Sequence, residues 1–337
     1  MPDENRDEEH MARALSLASA VRGTTAPNPW VGCVVVSAGG TDGSGQAFEG
    51  ATAPPGGPHA EVTAIAAATS AGLAAGATLY TTLEPCSHTG RTPPCVDAVV
   101  RAGVARVVVG MLDPDPRVSG AGVAGLEAAG VEVKVGVGAL DVAEQLAPYL
   151  KHRRTGRPWV VLKLASTLDG RIAAPDGSSR WITGEAARRD AHRLRAGSDA
   201  VVVGAGTVRS DDPELTARLE PPVDRQPLRV VLGRAPEGAR VRPALELSGD
   251  LGTVLDDLGA RGVLQVLVEG GARVAGDFHR SGLVDRYVLY LAPAFAGGDD
   301  AHAMFAGAGA VTVDDLFRGT LVSVERVGED LRVEVAV

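Results

Sequence analysis

Short apolar runs of strand length, spaced by segments of helical period, constrain this chain more than any other feature. Trp30 to Val36, Ala77 to Leu83, Ala105 to Met111 and Val131 to Val135 are such runs. Between them, Val62, Ile65, Ala66, Thr69 and Leu73 mark one helix face, and Cys95 to Ala102 and Gly122 to Ala129 read as further helices. The Gly-rich stretch SAGGTDGSGQ turns the first run back through Ala47 to Ala51 as a hairpin. A hairpin leading into αβαβαβ folds as a layered sheet with helices on both faces. Ahead of it, a polar tail precedes a helix over Met11 to Val21, with Met11, Leu15 and Ala18 on one face, and TTAPNP stops that helix.

After a predicted helix over Ala139 to Leu150, the basic stretch KHRRTGRP at 151–158 marks a domain boundary. The expected domains are 1–150 and 151–337, as a chain of 337 residues favours two. The second is again α/β, with strands at Trp159 to Leu164, Ala200 to Gly204, Leu228 to Leu232, Val263 to Val268 and Arg286 to Leu291. Its terminal LVSVERVGEDLRVEVAV reads as a closing hairpin around Gly328 to Asp330. No clear apolar strand stands between Arg242 and Gly252, and the halves show no repeat.

Composition excludes several classes. A net charge of −9 opposes a nucleic-acid partner, whose phosphates need Lys and Arg, though a local pocket for one phosphate stays open. With no 18-residue apolar run and an acidic opening MPDENRDEEH, neither a membrane span nor a signal peptide is expected. The expected compartment is the cytoplasm. There, an odd count of 3 cysteines points to packing, catalysis or metal rather than disulfides.

The cysteine spacing decides among those uses. PHAEV puts His59 and Glu61 at a helix start after a PPGGP turn, and LEPCSHTGRTPPC puts Cys86 past a strand and Cys95 at the next helix start. One imidazole and two thiolates satisfy catalytic zinc, which takes three protein ligands and leaves its fourth position for water. Helix N-termini favour thiolates. Glu61, two residues from His59, reaches that water without ligating and shuttles its proton to a departing amine. This is the logic of the zinc nucleobase deaminases, except that eight residues separate the cysteines here. Cys33, inside WVGCVVV, is read as packing. His88 suits a fourth ligand or a substrate-facing loop equally well.

The second half lacks GxGxxG, so a Rossmann domain is not expected. Two strand-to-glycine-to-helix turns, Val203-Gly204-Ala205-Gly206 and Glu269-Gly270-Gly271, suit either close approach to a pyrophosphate or tight packing. Lys163 lies inside an apolar strand, where an unpaired ammonium is costly; it either faces a site with a partner or snorkels to water.

Together TTAPNPWVGCVVV, PHAEV, TLEPCSHTGRTPPC, MLDPDPRVSGAG, RTGRPWVVLKLASTLDGRIA, SSRWITGEAARRDAHRLRAGSDAVVVGAGTVRSDDPELTAR and LVEGG resemble the bacterial bifunctional riboflavin-biosynthesis deaminase–reductase family over nearly the whole chain. The long cysteine loop is that family's form. The resemblance implies a cytidine-deaminase-like αβα domain that deaminates 2,5-diamino-6-ribosylamino-4(3H)-pyrimidinone 5′-phosphate. It also implies a dihydrofolate-reductase-like α/β domain that reduces the ribosyl group of 5-amino-6-(5-phosphoribosylamino)uracil to ribityl with NADPH. By the same resemblance Asn28 and Arg91 border the deaminase substrate; Asn28 reads as well as a turn residue before Pro29. Ala165, Trp181, Thr207, Asp211 and the glycines from Gly271 would line the cofactor. Ser179, Arg195, Leu215, Arg218 and Glu269 would face the reductase substrate, with Arg195 and Arg218 forking onto its phosphate and Glu269 accepting sugar hydroxyls. Lys163 and Glu269 are the acid–base candidates, and Arg234 lies where a cofactor 2′-phosphate could be read. Association as dimers or tetramers is implied as well. The alternative is a nucleoside or tRNA deaminase with a non-catalytic C-terminal sensing or oligomerisation module.

Overall fold

A computed structural model describes residues 2–39, 45–89, 93–115 and 118–337. The chain divides into two compact units, Met1–Gly156 and Arg157–Val337.

The first unit runs α1 (Pro2–Ala20), β1 (Gly32–Val36), β2 (Ala47–Ala51), α2 (Ala60–Ser70), β3 (Thr78–Leu83), α3 (Cys95–Arg101), β4 (Arg106–Met111), α4 (Ala121–Ala128), β5 (Glu132–Val135), α5 (Ala139–Gln145) and α6 (Ala147–Thr155). Its sheet has the order β2-β1-β3-β4-β5, with β1 antiparallel to both neighbours and β3, β4 and β5 parallel. Two glycines show the layering. A Cβ on Gly32 would strike the Ala14 carbonyl of α1, and one on Gly50, the partner of Cys33, would strike the Ala60 carbonyl of α2. Successive residues of a strand point to opposite faces, so α1 and α2 cover opposite sides of the sheet.

Two expectations are corrected here. The polar tail is not a tail, because α1 already starts at Pro2. Asp7 is buried and accepts from Arg106 Nη1 and Nη2 at 2.9 and 2.8 Å and from Lys134 Nζ at 2.9 Å, which ties the acidic segment to the sheet. Burial opposes its charge, yet these two cations hold its carboxyl down at about 2. The helix expected over Ala139 to Leu150 is two helices that meet at Leu146, as Pro148 in the first turn of α6 has no N–H to continue the preceding helix. α6 then carries on through Thr155, so most of the basic stretch is helical, and Gly156 ends it at φ 75°.

The second unit runs β6 (Trp159–Thr167), β7 (Arg171–Ala173), α7 (Glu185–Ala196), β8 (Ala200–Gly204), α8 (Ala205–Asp211), β9 (Leu228–Leu232), β10 (Leu245–Leu247), α9 (Leu251–Ala260), β11 (Gln265–Val268), α10 (Ala272–Arg280), β12 (Arg286–Ala292), β13 (His302–Ala303), β14 (Thr320–Val327) and β15 (Asp330–Ala336). The main sheet has the order β10-β9-β8-β11-β6-β12-β15-β14. It is parallel from β10 to β12, and the hairpin β14–β15 adds to β12 antiparallel. Both faces are buried: Val160, Leu162, Ala200 and Val202 lie in one core cluster, Val161, Val201, Val203 and Tyr290 in the other. Strands covered on both faces read as unbroken apolar runs, which is why most of them were legible. The exception is β10. A strand does lie between Arg242 and Gly252, but it has three residues, LEL, and only Val230 to Leu232 of β9 pair with it. A half-buried edge of that length carries no apolar run to find.

Candidate active sites

In the first unit the motif residues converge at helix starts. His59 is the N-cap of α2, Glu61 lies in its first turn, and Cys95 opens α3 behind Pro94. His59 Nδ1 lies 3.2 Å from Cys95 Sγ and 3.6 Å from Cys86 Sγ, and the three ligand atoms are all within 4.8 Å of one another. Bonds of about 2.0 Å to nitrogen and 2.3 Å to sulfur set ligands of one tetrahedral zinc roughly 3.5 Å apart, so the donor set and its spacing fit that ion. The Cys95 N–H donates to Cys86 Sγ at 3.4 Å, and Val96 N–H to the Cys86 carbonyl at 3.2 Å. Hydrogen bonding from the Cys95 thiol, with His59 adding to it, pulls Cys86 down to about 4, and the same bond and burial push Cys95 up. His59 is raised, chiefly by its hydrogen bond with Cys86.

Glu61 is 4% exposed, and burial, helped by the Cys86 charge, pushes its carboxyl up to about 7. A carboxyl poised there both takes and gives a proton near neutral pH. The triad opens on a cavity of about 310 Å³ that His59, Glu61 and Cys86 line with Asn28 and His88. Asn28 also closes a turn, its N–H donating to the Thr25 carbonyl at 2.9 Å. His88 stands outside the ligand cluster, on the cavity wall, with Nδ1 buried and without a hydrogen-bond partner among the described residues. Arg91 lies outside the described residues.

The sequence reading passed over three residues here. Glu84, next to the motif, accepts from the N–H groups of Asp113, Gly120, Gly122 and Val123 at 3.2, 2.9, 2.9 and 3.1 Å, capping α4 and anchoring the segment that presents Cys86. Asp113, on the cavity wall, accepts Tyr149 O–H at 3.1 Å on each oxygen, and burial raises its carboxyl. The GAG triplet at 120–122 was the available signal for Glu84, since a Cβ on Gly122 would strike the Pro85 carbonyl.

In the second unit a cavity of about 610 Å³ gathers most of the expected residues. At its centre Glu269, directly after β11, accepts Arg195 Nε at 2.6 Å and Nη2 at 2.9 Å, and Lys163 Nζ lies 4.0 Å away. Burial pushes the Glu269 carboxyl up, but Arg195, and less so Lys163, outweigh that and keep it below the ordinary value. Burial lowers Lys163, with Arg195 reinforcing and Glu269 opposing. Lys163 thus faces a site instead of snorkelling. Its Nζ also lies 5.7 Å from the Tyr290 ring centre, and Tyr290 O–H donates to Asp190 at 2.7 Å.

Arg195 lines the cavity, with Nε and Nη2 on Glu269 and Nη1 donating to the Thr216 carbonyl at 3.1 Å, so its Nε–Nη2 edge is engaged by Glu269. Arg218 is on the cavity wall, its Nη1 donating to Glu214 at 2.7 Å. Ser179 and Leu215 line the same cavity, the latter buried in the left-handed region at φ 55°, a strain that clusters at ligand sites.

Ala165, Trp181, Thr207 and Asp211 line it as well, and the Arg188 guanidinium lies 4.5 Å over the Trp181 ring. The glycine turns end adjacent parallel strands, β8 and β11. A Cβ on Gly204 or Gly270 would lie 2.8 or 2.5 Å from Val274, so packing requires those two. One on Gly206 would meet nothing nearer than 4.0 Å, leaving backbone open beside the cavity residue Thr207. Open glycine backbone at the carboxyl ends of parallel strands, beside polar and aromatic side chains, suits a dinucleotide. Gly271, the N-cap of α10, and Arg234, exposed on the loop after β9, are not on the cavity wall.

The model of the RibD C-terminal domain matches residues 158–333, and that of the cytidine and deoxycytidylate deaminase zinc-binding region matches residues 4–111. The chain belongs to the RibD family. The RibD riboflavin biosynthesis protein of Mycobacterium tuberculosis is 44% identical over 335 residues, covering 96% of this chain and 95% of that one. The Escherichia coli RibD is 43% identical over 336 residues, covering 87% and 89%. Among solved structures, Acinetobacter baumannii RibD superposes with a TM-score of 0.90 at 38% identity. A Thermotoga maritima diaminohydroxyphosphoribosylaminopyrimidine deaminase/5-amino-6-(5-phosphoribosylamino)uracil reductase does so at 0.90 and 35%, and both matches cover 99% of each chain. This RibD chain is accordingly a bifunctional deaminase and reductase of riboflavin biosynthesis, built from a cytidine-deaminase-like and a reductase α/β domain. Its cofactors are zinc and NADPH.

Proposed function

We propose that unit 1 deaminates 2,5-diamino-6-ribosylamino-4(3H)-pyrimidinone 5′-phosphate and that unit 2 reduces the ribosyl group of 5-amino-6-(5-phosphoribosylamino)uracil to ribityl. The observation that carries this is one chain with two unlike cavities, a His-Cys-Cys-Glu pocket and a Lys-Glu-Arg pocket. The T. maritima protein, a diaminohydroxyphosphoribosylaminopyrimidine deaminase and 5-amino-6-(5-phosphoribosylamino)uracil reductase matched over 99% of each chain, supports this choice of substrates.

In unit 1, His59, Cys86 and Cys95 would hold the zinc, which when bound would supply the Lewis acidity that makes water a nucleophile at neutral pH. Glu61 takes the proton from the attacking water on its carboxylate oxygen and returns it to the leaving amine. Glu84 and the α3 start hold the cysteine segment rigid while this happens.

In unit 2, Ala165, Trp181, Thr207, Asp211 and the open Gly206 turn would hold NADPH, which would supply hydride. Lys163 Nζ delivers the accompanying proton. A lysine destabilised by burial gives up a proton more readily than an exposed one, whereas Glu269, held ionised by Arg195, is a poor acid and accepts the sugar hydroxyls instead. Ser179, Leu215 and Arg218 frame the ribosyl phosphate, and Arg195 acts through Glu269.

Mass spectrometry of the product tests both halves. Incubation without NADPH should yield only the deaminated compound, and addition of NADPH the ribityl product; NADPH oxidation independent of prior deamination would overturn the assignment.

No described helix is long and apolar enough to cross a membrane. β14 ends the main sheet with Leu321 61% and Val324 54% exposed, an edge suited to a second copy of the chain in a dimer or tetramer. Light scattering should give a multiple of the chain mass.

A further inference from the structure

The deamination cavity contains a cation that the reaction as described does not use. Arg153 sits in the last turn of α6 and lines this cavity. Among the described lining residues it is the one arginine or lysine, facing Glu61, Glu84, Asp113 and Asp115. Two of those carboxylates are already committed, Glu84 to backbone N–H groups and Asp113 to Tyr149. Arg153 forms no ion pair with a described residue. Its Nη2 donates to the Pro27 carbonyl at 3.1 Å, the guanidinium also interacts with the Tyr149 hydroxyl, and its Nε is buried without a partner among the described residues.

The side chain is nevertheless held in place. Its guanidinium lies 5.0 Å from the centre of the Tyr149 ring, and that ring is fixed at its other end by the two contacts with Asp113. The Pro27 contact joins it to the loop that carries Asn28. A guanidinium stacked on an aromatic ring, with most of its donors unspent, is preorganised for a planar or tetrahedral oxyanion. A phosphate monoester entering a cavity lined by four carboxylates needs such a counter-charge, because desolvated like charges repel strongly.

We infer that Arg153 is the group in the deamination pocket that reads the 5′-phosphate of the substrate. The inference rests on the reading of this pocket as the site of deamination of a phosphorylated ribosylaminopyrimidine. Arg153 then sets specificity for the phosphorylated compound over the corresponding riboside, while the zinc ligands and Glu61 carry the chemistry.

The test uses the full zinc-loaded chain and compares deamination of the phosphorylated substrate with that of its dephosphorylated riboside. Arg153→Gln keeps length and a donor for the Pro27 carbonyl but removes the charge. It should raise KM for the phosphorylated substrate about tenfold or more and leave the riboside KM, kcat and zinc content unchanged. Arg153→Lys should recover part of the loss, since it restores the charge without the fork. Inorganic phosphate should compete with the riboside in the wild type and lose that effect in Arg153→Gln. Equal losses on both substrates, or no loss on the phosphorylated one, would overturn the inference while leaving the deaminase reading intact. A wild type that deaminates neither compound would overturn the deaminase reading, and this inference with it.

Discussion

The two cavities tune their carboxylates in opposite ways. Glu61 has no bidentate cationic partner among the described residues, and burial, helped by the Cys86 charge and opposed by His59, brings it up to about 7. Glu269 is buried too, yet Arg195 grips both of its oxygens and holds it ionised. The first arrangement makes a carboxyl that exchanges protons. The second makes a fixed anion and hands proton transfer to the neighbouring Lys163. Identical burial therefore says little about a carboxyl's role; the presence of a bidentate partner decides it.

The contrast breaks most sharply at Glu61. Glu61→Gln keeps the shape of the pocket and removes the proton carrier, so deamination should fall by about 10²- to 10⁴-fold, the usual worth of a general acid–base. Zinc content and NADPH-dependent reduction of the deaminated intermediate should be unchanged, as measured by metal analysis and absorbance. Cys86→Ala or Cys95→Ala should instead lose zinc together with deamination. Normal deamination in a zinc-depleted Cys95 variant would refute the metal assignment.

On the other side of the comparison, Lys163→Met should cut reduction by about 10²-fold with deamination intact, if the lysine delivers the proton. Glu269→Gln should raise the KM of the reductase substrate and lower stability, because it leaves Arg195 buried beside a neutral amide. If Glu269→Gln spares KM and Lys163→Met spares kcat, the division of labour between the pair is wrong.

How much of this was legible depended on whether a signal was local. His59, Glu61, Cys86 and Cys95 each sit at a helix start or strand end, so their spacing carried both geometry and chemistry. The buried strands of both sheets read as apolar runs for the same reason. Asp113, Tyr149 and Arg153 act through contacts between segments far apart in the chain, of which a single sequence holds no sign, and Glu84 left only the indirect trace of the GAG triplet at 120–122. Arg195 shows the converse. Its residue type suggested a phosphate fork, and a partner 74 residues away, Glu269, engages its Nε–Nη2 edge. The acidic opening segment looked like a tail because the cations that bury Asp7 lie on β4 and β5.

The pH dependence of stability sharpens the comparison in the zinc-stripped chain. Glu61 has a folded value of about 7 against an ordinary 4.5, so the native state binds its proton more tightly than the unfolded state does. That contribution is fully present below the ordinary value and is lost as pH rises through about 7, amounting to roughly 3 kcal/mol. Glu269 has the opposite sign: its depressed value stabilises above the ordinary carboxylate range and is lost on acidification. Denaturant titrations of wild type and Glu61→Gln between pH 4 and 8 should therefore diverge, with the wild type losing stability relative to the variant as pH rises. Parallel curves would mean that Glu61 is solvated in the metal-free pocket.

The smallest expected effect is the most informative about Lys163. Tyr290 presents its ring to Nζ at 5.7 Å and pins its own hydroxyl to Asp190, which Arg332 Nε also reaches at 3.1 Å. Tyr290→Phe keeps the ring and loses one hydrogen bond, a change of about 1 kcal/mol in stability and a few-fold at most in reduction. Tyr290→Leu removes the aromatic face from a buried ammonium whose nearest carboxylate oxygen is 4.0 Å away, and should lower kcat for reduction further than Tyr290→Phe with KM unchanged. Equal kcat in the two variants would show that the ion pair with Glu269 alone places Lys163.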